Sequence, residues 1–95
     1  MSTPHYKQLI KWNREYSLAC PHDKQAVEVY VECETHEAIV RLRNELLNIK
    51  SGGYSEEILA EQLGSKGQMR LNRHESFSNW AGLMLQWLNF YKNRV

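Results

Sequence analysis

Aspartate is nearly missing from this chain. Asp23 stands alone among 95 residues, against ten glutamates. No GxSxG elbow occurs, and no GxxxxGK[ST] or GxGxxG phosphate-cradling loop. These gaps leave little to build an enzyme from, and none is expected. Two prolines and five glycines give few breaks, so most of the chain should be regular structure. Only two cysteines occur, and no apolar run follows the first basic residues. A signal peptide is therefore not expected, and a reducing cytoplasm is. The net charge of +1 gives no global sign of a nucleic-acid partner or an acidic substrate. There is neither a low-complexity tract nor an internal repeat, and the length suits one domain over residues 1–95 with a modest core.

What is present in quantity is apolar surface near the C-terminus. Ser76 to Tyr91, SFSNWAGLMLQWLNFY, carries no charge. At about 100° per residue, Asn79, Gly82, Gln86, Asn89 and Asn93 fall on one narrow stripe, and apolar side chains cover the rest. This reads as a helix over Phe77–Tyr91, capped by Ser76 and closed by Lys92 and Arg94. It is too short for a bilayer, which needs about 20 apolar residues. Such a helix is either the centre of the core or a face for a partner. Trp80, Met84, Trp87, Leu88 and Tyr91 are its interface candidates, through which the protein would pair with a second copy.

Upstream, Thr3-Pro4 fits a helix start. A helix from about His5 to Ala19 follows, with Tyr6, Leu9, Ile10, Trp12 and Tyr16 at helical spacing and Lys7, Lys11 and Arg14 on another side. Pro21 stops it. Ala26 to Cys33, AVEVYVEC, alternates: Val27, Val29, Val31 and Cys33 one way, Glu28, Tyr30 and Glu32 the other. That is the period of a half-buried strand. The rival is one helix from Asp23 to Lys50. The seam Ile39, Leu42, Leu46, Ile49 extends backwards onto Thr35, Glu32 and Glu28, all polar, so the register breaks near Glu34. Thr35 is the expected N-cap of a helix ending before Gly52. A short helix capped by Ser55 runs to Gly64. Gln68 to Asn72 alternates weakly and is the expected second strand. A two-stranded sheet leaves open edges, a second reason to dimerise.

Three constellations could carry chemistry. Cys20-Pro-His22 and Cys33-Glu-Thr-His36 supply four ligands of the type that binds tetrahedral zinc, at a spacing unlike the common frameworks. Leu59-Ala60-Glu61-Gln62-Leu63-Gly64 has the small residue and turn glycine of a helix-turn-helix, followed by Lys66, Arg70, Arg73 and His74 with no acid between them. Gly67, and the two-residue spacing of Met69 and Leu71, spoil the recognition helix that should follow. Glu32, Cys33, Glu34, His36 and Glu37 crowd one junction, where a Cys/His or Glu/His pair could act as nucleophile and base.

The order thus reads helix, strand, helix, helix, short strand, helix: a mainly helical α+β domain, with an all-α bundle as the alternative. The expected role is non-enzymatic, a small cytoplasmic interaction or adaptor protein that pairs with itself or another protein. The alternative is a nucleic-acid-binding regulator using Lys66, Arg70, Arg73 and His74. No cofactor and no membrane partner is expected.

Overall fold

A computed structural model of the chain describes residues 6–94. The Thr3-Pro4 helix start lies outside them. The described residues are all-helical: α1 (Lys7–Trp12) runs on as a wider π-type turn (Asn13–Ser17), then come α2 (Asp23–Cys33), α3 (His36–Lys50), α4 (Glu56–Leu63), α5 (Ser65–His74) and α6 (Phe77–Arg94). The helix–strand order and the sheet are therefore corrected, and with them the open sheet edge as a reason to dimerise.

The first expected strand, Ala26 to Cys33, is inside α2. Its buried residues are Ala26, Val27, Tyr30 and Val31, spaced one, three and one apart. That is the i, i+1, i+4, i+5 pattern of a helix against a core. Alternation of valines hid it, because Val29 lies only half-buried and Cys33 is exposed, while Tyr30 is fully buried. The Tyr30 hydroxyl has partners inside: it donates to the Ala38 carbonyl at 2.9 Å. The break near Glu34 is real, but it joins two helices. Glu34 and Thr35 are extended, and the Thr35 side chain accepts from Ala38 N at 3.2 Å to start α3.

The second expected strand, Gln68 to Asn72, lies in α5. Here Gly67 is a close-approach residue rather than a break. A Cβ at this position would stand 2.7 Å from Leu63 Cβ and 3.2 Å from the Ala60 carbonyl oxygen. Gly64, at φ +68°, makes the sharp turn that lays α5 against α4. Gly67→Val is expected to destabilise the domain by about 1–3 kcal/mol through overpacking against backbone that cannot retreat. Chemical denaturation measures this, and a loss below about 0.5 kcal/mol would mean that α4 and α5 are not so tightly packed.

The core is organised by α6, which packs chiefly on α3 and α2 and also meets α5. Its Phe77, Trp80, Ala81, Met84, Leu85, Leu88 and Tyr91 are buried against the α3 seam of Ile39, Leu42, Leu46 and Ile49. Ser76 Oγ accepts from Asn79 N at 3.1 Å and caps the helix. At the other side of the molecule, the Glu45 carboxylate of α3 accepts from the backbone N–H groups of Gln8 and Leu9, at 3.1 and 2.9 Å, and so closes the start of α1.

In contrast, α5 adds no apolar side chain to the fully buried core. Met69 is 57% exposed and Leu71 half-buried. Its inward positions are Gly67 and Arg70.

Candidate functional site

Arg70 is the anchor of α5, and it is 4% exposed. Each of its nitrogens has a partner. Nε donates to Asp23 Oδ2 at 2.9 Å and Nη2 to Asp23 Oδ1 at 3.0 Å. Nη1 donates to Asn13 Oδ1 at 2.8 Å and Nη2 also to Ser17 Oγ at 2.6 Å. The fork geometry is the bidentate pairing at which arginine excels. The guanidinium also lies over two indoles, 5.2 Å from the Trp12 ring centroid and 5.0 Å from that of Trp80. Trp80 Nε1 donates to Asp23 Oδ2 at 3.2 Å. Asn13 and Ser17 sit at the two ends of the π-type turn, which directs both inward.

Burial by itself would raise the carboxyl pKa of Asp23. The hydrogen bond and charge of Arg70, with the bonds from Trp80 and Ser17, outweigh it and hold Asp23 below the usual carboxylate value. The one aspartate of the chain is thus a structural anion. Lys66 reaches the same region and donates to the Ser17 carbonyl, at the end of the first helix.

Beyond this clasp a cleft opens. It has a volume of about 780 Å³ and is open to solvent. Its floor is α6, through Leu83, Trp87 and Tyr91; one wall is the start of α2, the other is α5. Both walls pack on α6, with the Arg70–Asp23 pair as the bridge between them. From Leu83 to Tyr91 the floor runs about 12 Å along the helix. Met69 projects from the α5 wall and adds to the apolar surface.

The rim is basic. Lys24 and Arg73 are exposed, and neither forms an ion pair among the described residues. The Lys66 ammonium is spent on carbonyl oxygens, which leave its charge uncancelled. Facing these three cations, once Arg70 and Asp23 neutralise each other, stands one carboxylate, Glu28.

No family model, curated protein or solved structure matches the chain.

Of the interface set, Trp80, Met84 and Leu88 are fully buried and Tyr91 nearly so; they pack within the chain. Trp87 is half-buried and lines the cleft. On the same outward stripe, one turn on, Phe90 is 55% exposed.

Of the basic set, Arg70 and Lys66 turn inward, whereas Arg73 faces solvent and His74 is half-buried. A phosphate could not take the place of Asp23 on Arg70 without opening the clasp.

The four metal candidates are split. Cys20 and His22 precede α2, whereas Cys33 is its last residue and His36 the first of α3, so the pairs stand about 16 Å apart along an 11-residue helix. No group of three or more metal-capable side chains occurs among the described residues. Both thiols are free.

At the crowded junction, Glu34 accepts from the Tyr16 hydroxyl and from Lys11 Nζ at 2.9 Å. It fastens the first helix to the α2–α3 corner. The hydrogen bonds from Tyr16 and Lys11 hold its carboxyl below the usual value. Cys33 and His36 are exposed.

No helix among the described residues is long and apolar enough to cross a membrane.

Proposed function

We propose that this is a small protein-interaction module, non-enzymatic, that docks a partner protein in the cleft over α6. The observation that carries this reading is the meeting of Met69, Leu83 and Trp87 on one open apolar surface beside cations that form no ion pair, with Phe90 exposed one turn further along α6. An exposed apolar patch rimmed by polar groups marks an interaction site more often than a bare apolar surface is left without use. Tryptophan and arginine, both here, are the residues that dominate interface energetics. The reading differs from one in which Trp80, Met84 and Leu88 make the contact, since these support the fold. A reducing cytoplasm suits two free thiols, and we place the protein there.

The test is selection of binders from a displayed random peptide library against the intact protein. Bound peptides are expected to perturb the NMR signals of α5 and α6. Trp87→Glu, at a half-buried site, should weaken them by about 100-fold while leaving the circular dichroism spectrum intact. Binders that map elsewhere, or that tolerate Trp87→Glu, would remove the reading. Sedimentation velocity covers the homodimer: a dimer that Trp87→Glu splits puts a second copy on this surface, and a monomer assigns the surface to another protein.

A further inference from the structure

We infer that the occupant of the cleft is an acidic amphipathic helix of a different protein. This rests on the reading of the cleft as a protein-docking surface. The floor is one helix and the walls are two others, with the walls bridged near Trp80 by Arg70 and Asp23. A solvent-open groove lined by three helices can receive another helix, whose side-chain ridges fill it as those of any packed neighbour would. A flat bilayer surface meets the rim of such a groove and not its floor.

Charge then selects the helix. Lys24 stands on one wall and Arg73 on the other, with Lys66, its ammonium held by the Ser17 carbonyl, on the same wall as Arg73. An apolar stripe of the ligand seated on Leu83, Trp87 and Met69 would present both its flanks to cations. Acidic flanks are the complement, and basic flanks meet like charge. Glu28, on the α2 wall, is the single opposing charge. A second copy related by two-fold symmetry would bring this basic rim toward its own equivalent, because an isologous contact uses the same patch twice. The rim therefore favours a foreign acidic partner over self-pairing, in a chain whose net charge is only +1.

The experiment uses synthetic helical peptides with one apolar stripe and three versions of the flanks: Glu-rich, Gln-rich and Lys-rich. Fluorescence anisotropy with the full-length protein reports affinity. The Glu-rich peptide is expected to bind about tenfold more tightly than the Gln-rich one at low salt, as a few rim ion pairs allow. The difference should shrink in high salt, where screening is strong. It should vanish in the Lys24→Glu, Arg73→Glu double variant, whose substitutions lie at exposed positions. Equal binding of Glu-rich and Gln-rich peptides overturns the acidic partner and leaves the docking surface standing. So does a preference that survives the double reversal. Failure of all three peptides overturns the helix as occupant; the docking surface is judged separately by the Trp87→Glu library result. Binding to anionic phospholipid vesicles in place of the peptides, lost in the double variant, overturns it in favour of a membrane surface. A dimer that Trp87→Glu splits overturns it in favour of a second copy.

Discussion

Arg70→Ala is expected to lower the unfolding free energy by about 3–5 kcal/mol, the usual consequence of leaving one partner of a buried pair without the other. For a domain of this size that is a fall in melting temperature of more than about 10 °C. Asp23, Asn13 and Ser17 would all lose a donor at once, and two indoles would lose the cation packed on them. The double replacement Asp23→Leu with Arg70→Met should be less destabilised than the sum of the two single changes, because each single change strands a buried group and the pair removes both. Thermal unfolding by circular dichroism gives all the terms of this cycle. A single Arg70→Ala that melts within a degree or two of the parent would show the clasp to be incidental. The pair also predicts a pH dependence. The folded state holds Asp23 below its ordinary value, so its contribution is complete above the ordinary carboxylate range and is lost as pH falls through the lowered value. Asp23→Asn should therefore be the weaker protein at neutral pH, with the gap closing on acidification. Comparison with that variant separates Asp23 from Glu34, which is lowered in the same direction, and from Glu45, whose burial raises it despite two backbone donors.

The second large effect is expected at Trp80. Trp80→Ala should cost about 3–5 kcal/mol, the range for deleting a large aromatic from a packed core. Its ring is fully buried and contacts Trp12 and Phe77 at centroid separations of 6.1 and 6.3 Å. Trp80→Phe keeps much of the ring volume but gives up the bond from Nε1 to Asp23, and should cost less than Trp80→Ala. Trp87→Ala provides the contrast. At a half-buried site on the cleft floor, it should be much the milder of the two in urea titrations. If Trp80→Ala and Trp87→Ala were equally mild, the division of α6 into a core face and a cleft face would fail.

That division is where the sequence was least readable. Leu83, Trp87 and Phe90 look like Trp80, Met84 and Leu88 on paper, since all are large, apolar and helically spaced. Only the placement of α2, α3 and α5 around the helix decides which side stays open. The polar stripe of Asn79, Gln86 and Asn89 was legible, and all three are exposed. So was the α3 seam, where Ile39, Leu42, Leu46 and Ile49 leave one period to choose from. The strand over Ala26 to Cys33 was a misreading of a different kind. β-branched residues at alternate positions match a pleat, but Ala26-Val27 and Tyr30-Val31 also match a helix, and tertiary packing overrode the local preference. For Arg70 the surroundings misled: lying between Gln68, Asn72 and Arg73, it reads as surface. The available signals were the lone aspartate, which needs a partner once buried, and Gly67, three residues before Arg70 on the same side of α5. Without knowing that the segment is helical, neither points to the other.

The clasp has a consequence for how this chain can change over generations. Asn13, Ser17, Asp23, Arg70 and Trp80 come from four elements, and every nitrogen of Arg70 is already engaged. Replacing any one of the five alone takes a hydrogen bond away from the others. In a lineage of this protein these five positions should be inherited together or exchanged together. Met69 and Arg73, on the same short helix but facing outward, can drift freely with respect to the fold, and so can follow whatever the cleft is selected to hold.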